Sequence, residues 1–144
     1  LSASTQIIPI IDLTESAEGS GLRQDLQTAL SHTTSNTFSV NNQTTTIITT
    51  TGYFRVTGTV VMASLDSGTA QRIRINISDG TTNKSIYDIQ PKNLDTLQNS
   101  IFYALDFNIL IEAGGNFNCI ATSNAQFAGN IRQIADLDGN LVNP

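Results

Sequence analysis

Residues 101–112, IFYALDFNILIE, place Ile101, Tyr103, Leu105, Phe107, Ile109 and Ile111 at every second position. A helix would spread these six side chains around its circumference, whereas an extended chain sets them all on one face. The segment is therefore a strand with one broad apolar side, and that side needs a second layer to cover it. Any fold for this chain must supply one.

The rest of the sequence offers such a layer. TTTIITT is β-branched throughout and suits a pleated surface with one solvated face. GYFRVTGTVVM alternates Phe54, Val56, Val60 and Met62 against Tyr53, Arg55, Thr57 and Thr59. In QRIRINISDGTTNKSIYDIQ, Ile73, Ile75 and Ile77 alternate with Arg72, Arg74 and Asn76, and Asp79-Gly80 turns the chain into a second strand over 85–90. AGGN leads into FNCIATS, and FAGNIRQIAD supplies a last strand, with Ile131 and Ile134 on opposite faces. Seven or eight short strands separated by turn residues predict an all-β fold, an antiparallel jelly-roll sandwich. Two earlier elements precede it: an opening strand in IIPIIDL at 7–13, interrupted by Pro9, and a short N-terminal helix over 21–31. In that helix Leu22, Leu26, Ala29 and Leu30 share a face and Ser20 is placed to cap it. The expected organisation is an arm with the helix at 1–31 and the jelly roll at 32–144, one structural domain overall.

The core-facing side of the long strand is not its only apolar side. Phe102 and Leu110 lie on the opposite face, Ile120 and Ile134 follow on later strands, and Tyr53 opens the GYFRV strand. Two readings stand: these residues are unconnected or covered by the N-terminal arm and helix, or they form a subunit interface, since a sheet apolar on both faces must bury both. Tyr53, Phe102, Leu110, Ile120 and Ile134 are the candidate interface set.

Chemistry finds little to work with. Charged residues make up 13% of the chain, the net charge is −5, and the seven Lys and Arg are scattered singly, so no basic stripe exists to hold a phosphate backbone. Nucleic acid is not an expected partner. The lone histidine, His32, lacks companions for a catalytic triad, and with the single Cys119 it makes too few ligands for zinc. Asp106, among apolar neighbours, is expected to pair with Arg132 or Arg55 across strands. DLDGN at 136–140 has its glycine at the wrong offset for a calcium loop and reads as a turn, after which the tail is expected to leave the sandwich. None of the glycine clusters matches a nucleotide loop. Neither an apolar run of membrane-spanning length nor a basic leader with an apolar centre is present. The expectation is a chain with no enzyme activity, cofactor, metal or membrane partner.

Order and phrasing then point to relatives. Gly52, Tyr53 and Val56 in GYFRVTGTV, with Ala113 and Gly114 in the glycine turn after the long strand, resemble the trimeric jelly roll of the tumour necrosis factor and C1q-like class over roughly residues 38–136. SDGTTNKSIYDI and DLDGNLVNP resemble small structural proteins of tailed bacteriophages, particularly those infecting cyanobacteria. These resemblances imply a virion location, on the capsid surface or the tail. They imply a homotrimer that decorates or cements a capsid, partnered by the major capsid protein or other virion proteins. The alternative is a receptor-binding or adhesion head that recognises host-surface glycan through the loops at 64–70 and 91–99, with Tyr53, Tyr87 or Tyr103 stacking on sugar.

Overall fold

In the computed structural model, residues 35–63, 71–91 and 100–142 are described. The expected strand at 7–13 and helix at 21–31, His32, and the loops at 64–70 and 92–99 lie outside them. Eight strands fill the described residues: β1 (Ser35–Asn41), β2 (Thr44–Ile48), β3 (Gly52–Ala63), β4 (Arg72–Ser78), β5 (Asn83–Ile89), β6 (Ser100–Ile111), β7 (Asn116–Thr122) and β8 (Gln126–Ala135). They form two four-stranded antiparallel sheets, β1-β8-β3-β6 and β2-β7-β4-β5. Apart from the β4–β5 hairpin, each strand is followed by one in the other sheet, which is the jelly-roll order expected from the sequence.

The alternation explains the pairing. β3 and β6 are the two longest strands and pair over all twelve residues, Gly52 against Ile111 through to Ala63 against Ser100. This register puts Phe54, Val56, Val60 and Met62 on the same side as Ile109 and Ile111, and all six are buried. The other sheet answers with Ile73, Ile75, Phe117, Cys119 and Ala121. Phe117 is fully buried and meets Phe107 at 6.0 Å between ring centroids, and Phe107 meets Tyr87 at 5.3 Å. The β4–β5 turn forms where it is expected. Gly80 takes a φ of +94°, and Asp79 Oδ1 accepts the backbone N–H of Thr81 at 2.9 Å and of Thr82 at 2.7 Å.

Three details depart from expectation. Tyr103 shares the inward face of β6 but is 47% exposed, and Ile101 is only half-buried. Twelve-residue β6 outruns seven-residue β5 at the same flank of the sandwich, so among the described residues no strand lies opposite its first half. Asn76 alternates as a solvent-facing residue would, yet it is buried, because its amide joins a side-chain ladder on the outer face of β4 and β7. Finally, the tail does not leave the sandwich over its described length. Asp136 Oδ1 accepts Asn140 N–H at 2.9 Å, Gly139 takes a φ of +83°, and Val142 N–H donates to the Ile134 carbonyl at 2.8 Å, returning the chain to β8.

At the middle of the larger strands β3 and β8 approach so closely that only glycine fits. Gly58 and Gly129 are Cα partners, and a Cβ on Gly129 would overlap the Thr57 carbonyl oxygen and sit 2.5 Å from the Gly58 Cα. Both obstacles are backbone and cannot rotate away. Gly129→Ala is therefore expected to destabilise the fold by about 3 kcal/mol, the upper end for overpacking, read as a lower urea midpoint with the slope unchanged; a midpoint equal to that of the unsubstituted chain would refute the close approach.

Candidate interaction surface

Among the described residues no three His, Cys, Asp or Glu side chains gather to hold a metal ion. Cys119 is fully buried, and desolvation pushes its thiol up to about 12, so it packs as a small hydrophobe rather than a nucleophile. Asp106 pairs with Arg55 as expected: Arg55 Nε donates to Oδ1 at 3.0 Å and Nη2 to Oδ2 at 2.7 Å. This bidentate contact holds the Asp106 carboxyl below its usual range, the opposite of what a general acid needs. Arg72 and Asp88 form a second fork across β4 and β5, with Nε to Oδ1 at 2.7 Å. Both pairs are well exposed and add little to stability.

Two grooves open at the end of the sandwich where β3 begins. One, of about 280 Å³, lies between β1 and the β2–β3 connection and is lined by Phe38, Ile48, Phe54 and Ile131. There Gln133 Nε2 is occupied with the Thr51 carbonyl at 3.2 Å and the Ala135 carbonyl at 3.3 Å. The other, of similar volume, runs beside the β4–β5 turn and holds Asp79, Lys84 and Glu112. Neither converges polar groups on a point where a substrate atom could sit.

The surface itself is more informative. Tyr53 and Leu110 are Cα partners on the outer side of the β1-β8-β3-β6 sheet, and Ile134 lies beside them at the β-bulge where β8 shifts register against Tyr53 and Phe54. Tyr53 is 40% exposed. Phe102 lies on the same outer side at the far end of β6, opposite Val61, and at 67% it is the most exposed large apolar residue described. Four of the five candidate interface residues thus share one sheet. Ile120 does not, because β7 belongs to the second sheet and pairs it with Thr44 and Arg74 on the opposite side of the molecule.

Sequence reasoning missed a polar counterpart on that second sheet. Asn76 Nδ2 donates to Asn118 Oδ1 at 3.0 Å, Ser85 Oγ donates to Asn76 Oδ1 at 2.7 Å, and Asn118 Nδ2 reaches Asn116 Oδ1 at 2.8 Å and Asn83 Oδ1 at 3.2 Å. The residues come from three strands, so only the strand register could have revealed the network. It fills much of the outer face of the second sheet with satisfied amides, whereas the outer face of β3 and β6 carries Tyr53, Phe102 and Leu110 beside the Arg55–Asp106 pair.

Two solved structures share this architecture and much of its sequence. Both are crystal structures of a pentameric capsid protein isolated from metagenomic phage sequences, at TM-score 0.66 and 36% identity. One match covers 100% of this chain and 88% of that chain, the other 98% and 92%. The chain belongs to this family of phage capsid proteins. It is a virion structural protein. The expected homotrimer is overturned, since both of these solved relatives are pentameric. The Eiger tumour necrosis factor of S. frugiperda overlays at TM-score 0.40 and 12% identity over 72% of this chain and 88% of that one, too distant to carry family membership or a trimeric state. No family model and no curated protein matches the chain.

Four surface carboxylates, on the β4–β5 hairpin, on β6 and at the tail, contribute to the response to acid. Asp79 is held below its ordinary value of 3.8 by the Thr82 and Thr81 amides, Asp88 by Arg72, Asp106 by Arg55 and Asp136 by the Asn140 side chain and amide. A carboxyl whose folded value is depressed contributes stability above its unfolded value and loses it as pH falls through the folded one. Stability should hold from neutral pH down to about 4 and then fall. Asp79→Ala should be less stable at pH 7 and lose less on acidification, measured by urea unfolding from pH 7 to pH 2; parallel curves for the two proteins would refute this role for Asp79.

Proposed function

We propose that this chain is a capsid protein that closes into a ring of five and seats on the phage shell as a decorating or cementing element. The observation that carries the reading is 36% identity, over nearly the whole of both chains, to a capsid protein whose crystal structure is pentameric. Rotational closure of this kind uses two different patches on each subunit, one meeting the neighbour on either side. A ring of five also matches the local symmetry of an icosahedral vertex, and five feet on one ring give avidity that no single contact supplies.

Within this reading, Tyr53, Phe102, Leu110 and Ile134 belong to contacts between copies. Burial is the mechanism: a standard interface removes about 1,600 Å² from water, and exposed aromatic side chains supply its apolar centre. Residues 1–31 act as an arm to neighbouring shell subunits, separate from the ring contact.

Light scattering coupled to size-exclusion chromatography at micromolar concentration should return about five times the 15.4 kDa chain mass. A monomer would overturn the ring. Deleting residues 1–31 should weaken binding to shells lacking this protein while leaving the oligomer mass per chain unchanged; undiminished shell binding would rule out the arm.

A further inference from the structure

The exposed apolar side chains are not spread evenly. Five large hydrophobics are notably exposed among the described residues, and three of them, Ile86, Phe102 and Tyr103, belong to β5 and β6, the edge strands on one flank of the sandwich. There Tyr103, on the inner face of β6 beyond its facing strand, and Phe102, on the outer face, are both exposed, so the two sides of the strand are open at one corner. At about 200 Å² for a full aromatic side chain, the two leave roughly 200 Å² open, about a quarter of one partner's share of a standard interface. That is the size of an apolar interface centre with a polar rim around it.

The geometry of a five-membered ring decides what meets this corner. Seen down the axis, a subunit contacts its two neighbours in directions about 108° apart. In a ring whose strands run along the axis, the arrangement this inference takes, opposite flanks of a sandwich stand about 180° apart and a flank and a sheet face about 90° apart, so a flank of one copy fits against a sheet face of the next. The second sheet is a poor match, for its outer face carries the Arg72–Asp88 fork, Arg74 and the asparagine ladder. The β3–β8 face is a good one at the required height. Phe102 pairs with Val61, Ala104 with Thr59, and Thr59 with Ala128, so the level of the aromatic corner corresponds to a floor of small side chains.

We infer that the Phe102–Tyr103 corner of each copy packs on the Val61, Thr59 and Ala128 floor of its neighbour, the occupant being a second copy of this chain. The inference rests on the ring of five proposed above and adds which surfaces make it. It also accounts for a floor built of Val, Thr and Ala, because a larger side chain there would hold the incoming rings off the sheet.

The test is a proximity measurement on the full chain carrying Phe102→Cys together with Ala128→Cys. A short bis-maleimide should produce a ladder of covalent oligomers ending at five copies, while the unsubstituted chain, whose Cys119 is buried, gives none. Each single variant should give far less. Phe102→Asp should abolish the oligomer with its circular dichroism unchanged. If the double variant itself weighs as a pentamer but forms no cross-links, the placement of the contact is wrong while the ring stands. If the unsubstituted chain weighs as a monomer, ring and contact fall together.

Discussion

The full-length pairing of β3 with β6 is the constraint on which the rest of the molecule depends. It aligns six buried side chains over the second sheet, and the same register, carried to the other face, aligns Tyr53 with Leu110 and Val61 with Phe102. A slip of one residue would exchange the two faces. The Gly58–Gly129 approach then locks β8 against β3 with no room for adjustment. Core and outer surface are thus two consequences of a single hydrogen-bonded ladder.

Length mismatch leaves one end of that ladder open. Two sheets of unequal strand length cannot cover each other completely, and among the described residues the excess falls on the first half of β6. A monomeric sandwich of this size would blunt such an edge with charge or proline. Here the edge carries Phe102 and Tyr103, and the nearest described ion pair on the same face, Arg55 with Asp106, is satisfied within the subunit. Arg132 differs: partial burial and the neighbouring Arg55 lower its proton affinity. The outer face therefore combines apolar residues with one internally neutralised pair, which is cheap to remove from water compared with isolated charges, and with the further positive charge of Arg132 at the β8 side.

The polar side of the molecule follows a different logic. On the second sheet, asparagines from β4, β5 and β7 satisfy one another, so that face gains little by further burial. Among the described residues nothing converges into a reaction centre, and the buried thiol is disarmed by its surroundings. A capsid element needs no reaction centre. It needs a rigid sandwich that presents the same patches in every copy.

Much of this was legible in the residues. Period-two alternation in GYFRVTGTVVM, RIRINIS and IFYALDFNILIE identified the strands and their inward faces, Asp79-Gly80 marked the hairpin, and the second apolar side of β6 was visible as Phe102 and Leu110, because side-chain direction in a strand is a local property of the backbone. What lay beyond reach was every relation between distant strands. Register joined Asn76 to Asn118, strand length against strand length exposed Tyr103, sheet membership sent Ile120 to the opposite side from Tyr53, and hydrogen bonds back to β8 folded the tail. Copy number lay further out still, since it depends on the angle between two patches of a finished surface. The sequence by itself determined which side chains share a face of a strand, for that needs only the geometry of an extended chain; which faces meet, and where a face is left bare, was decided only when the two sheets closed on each other.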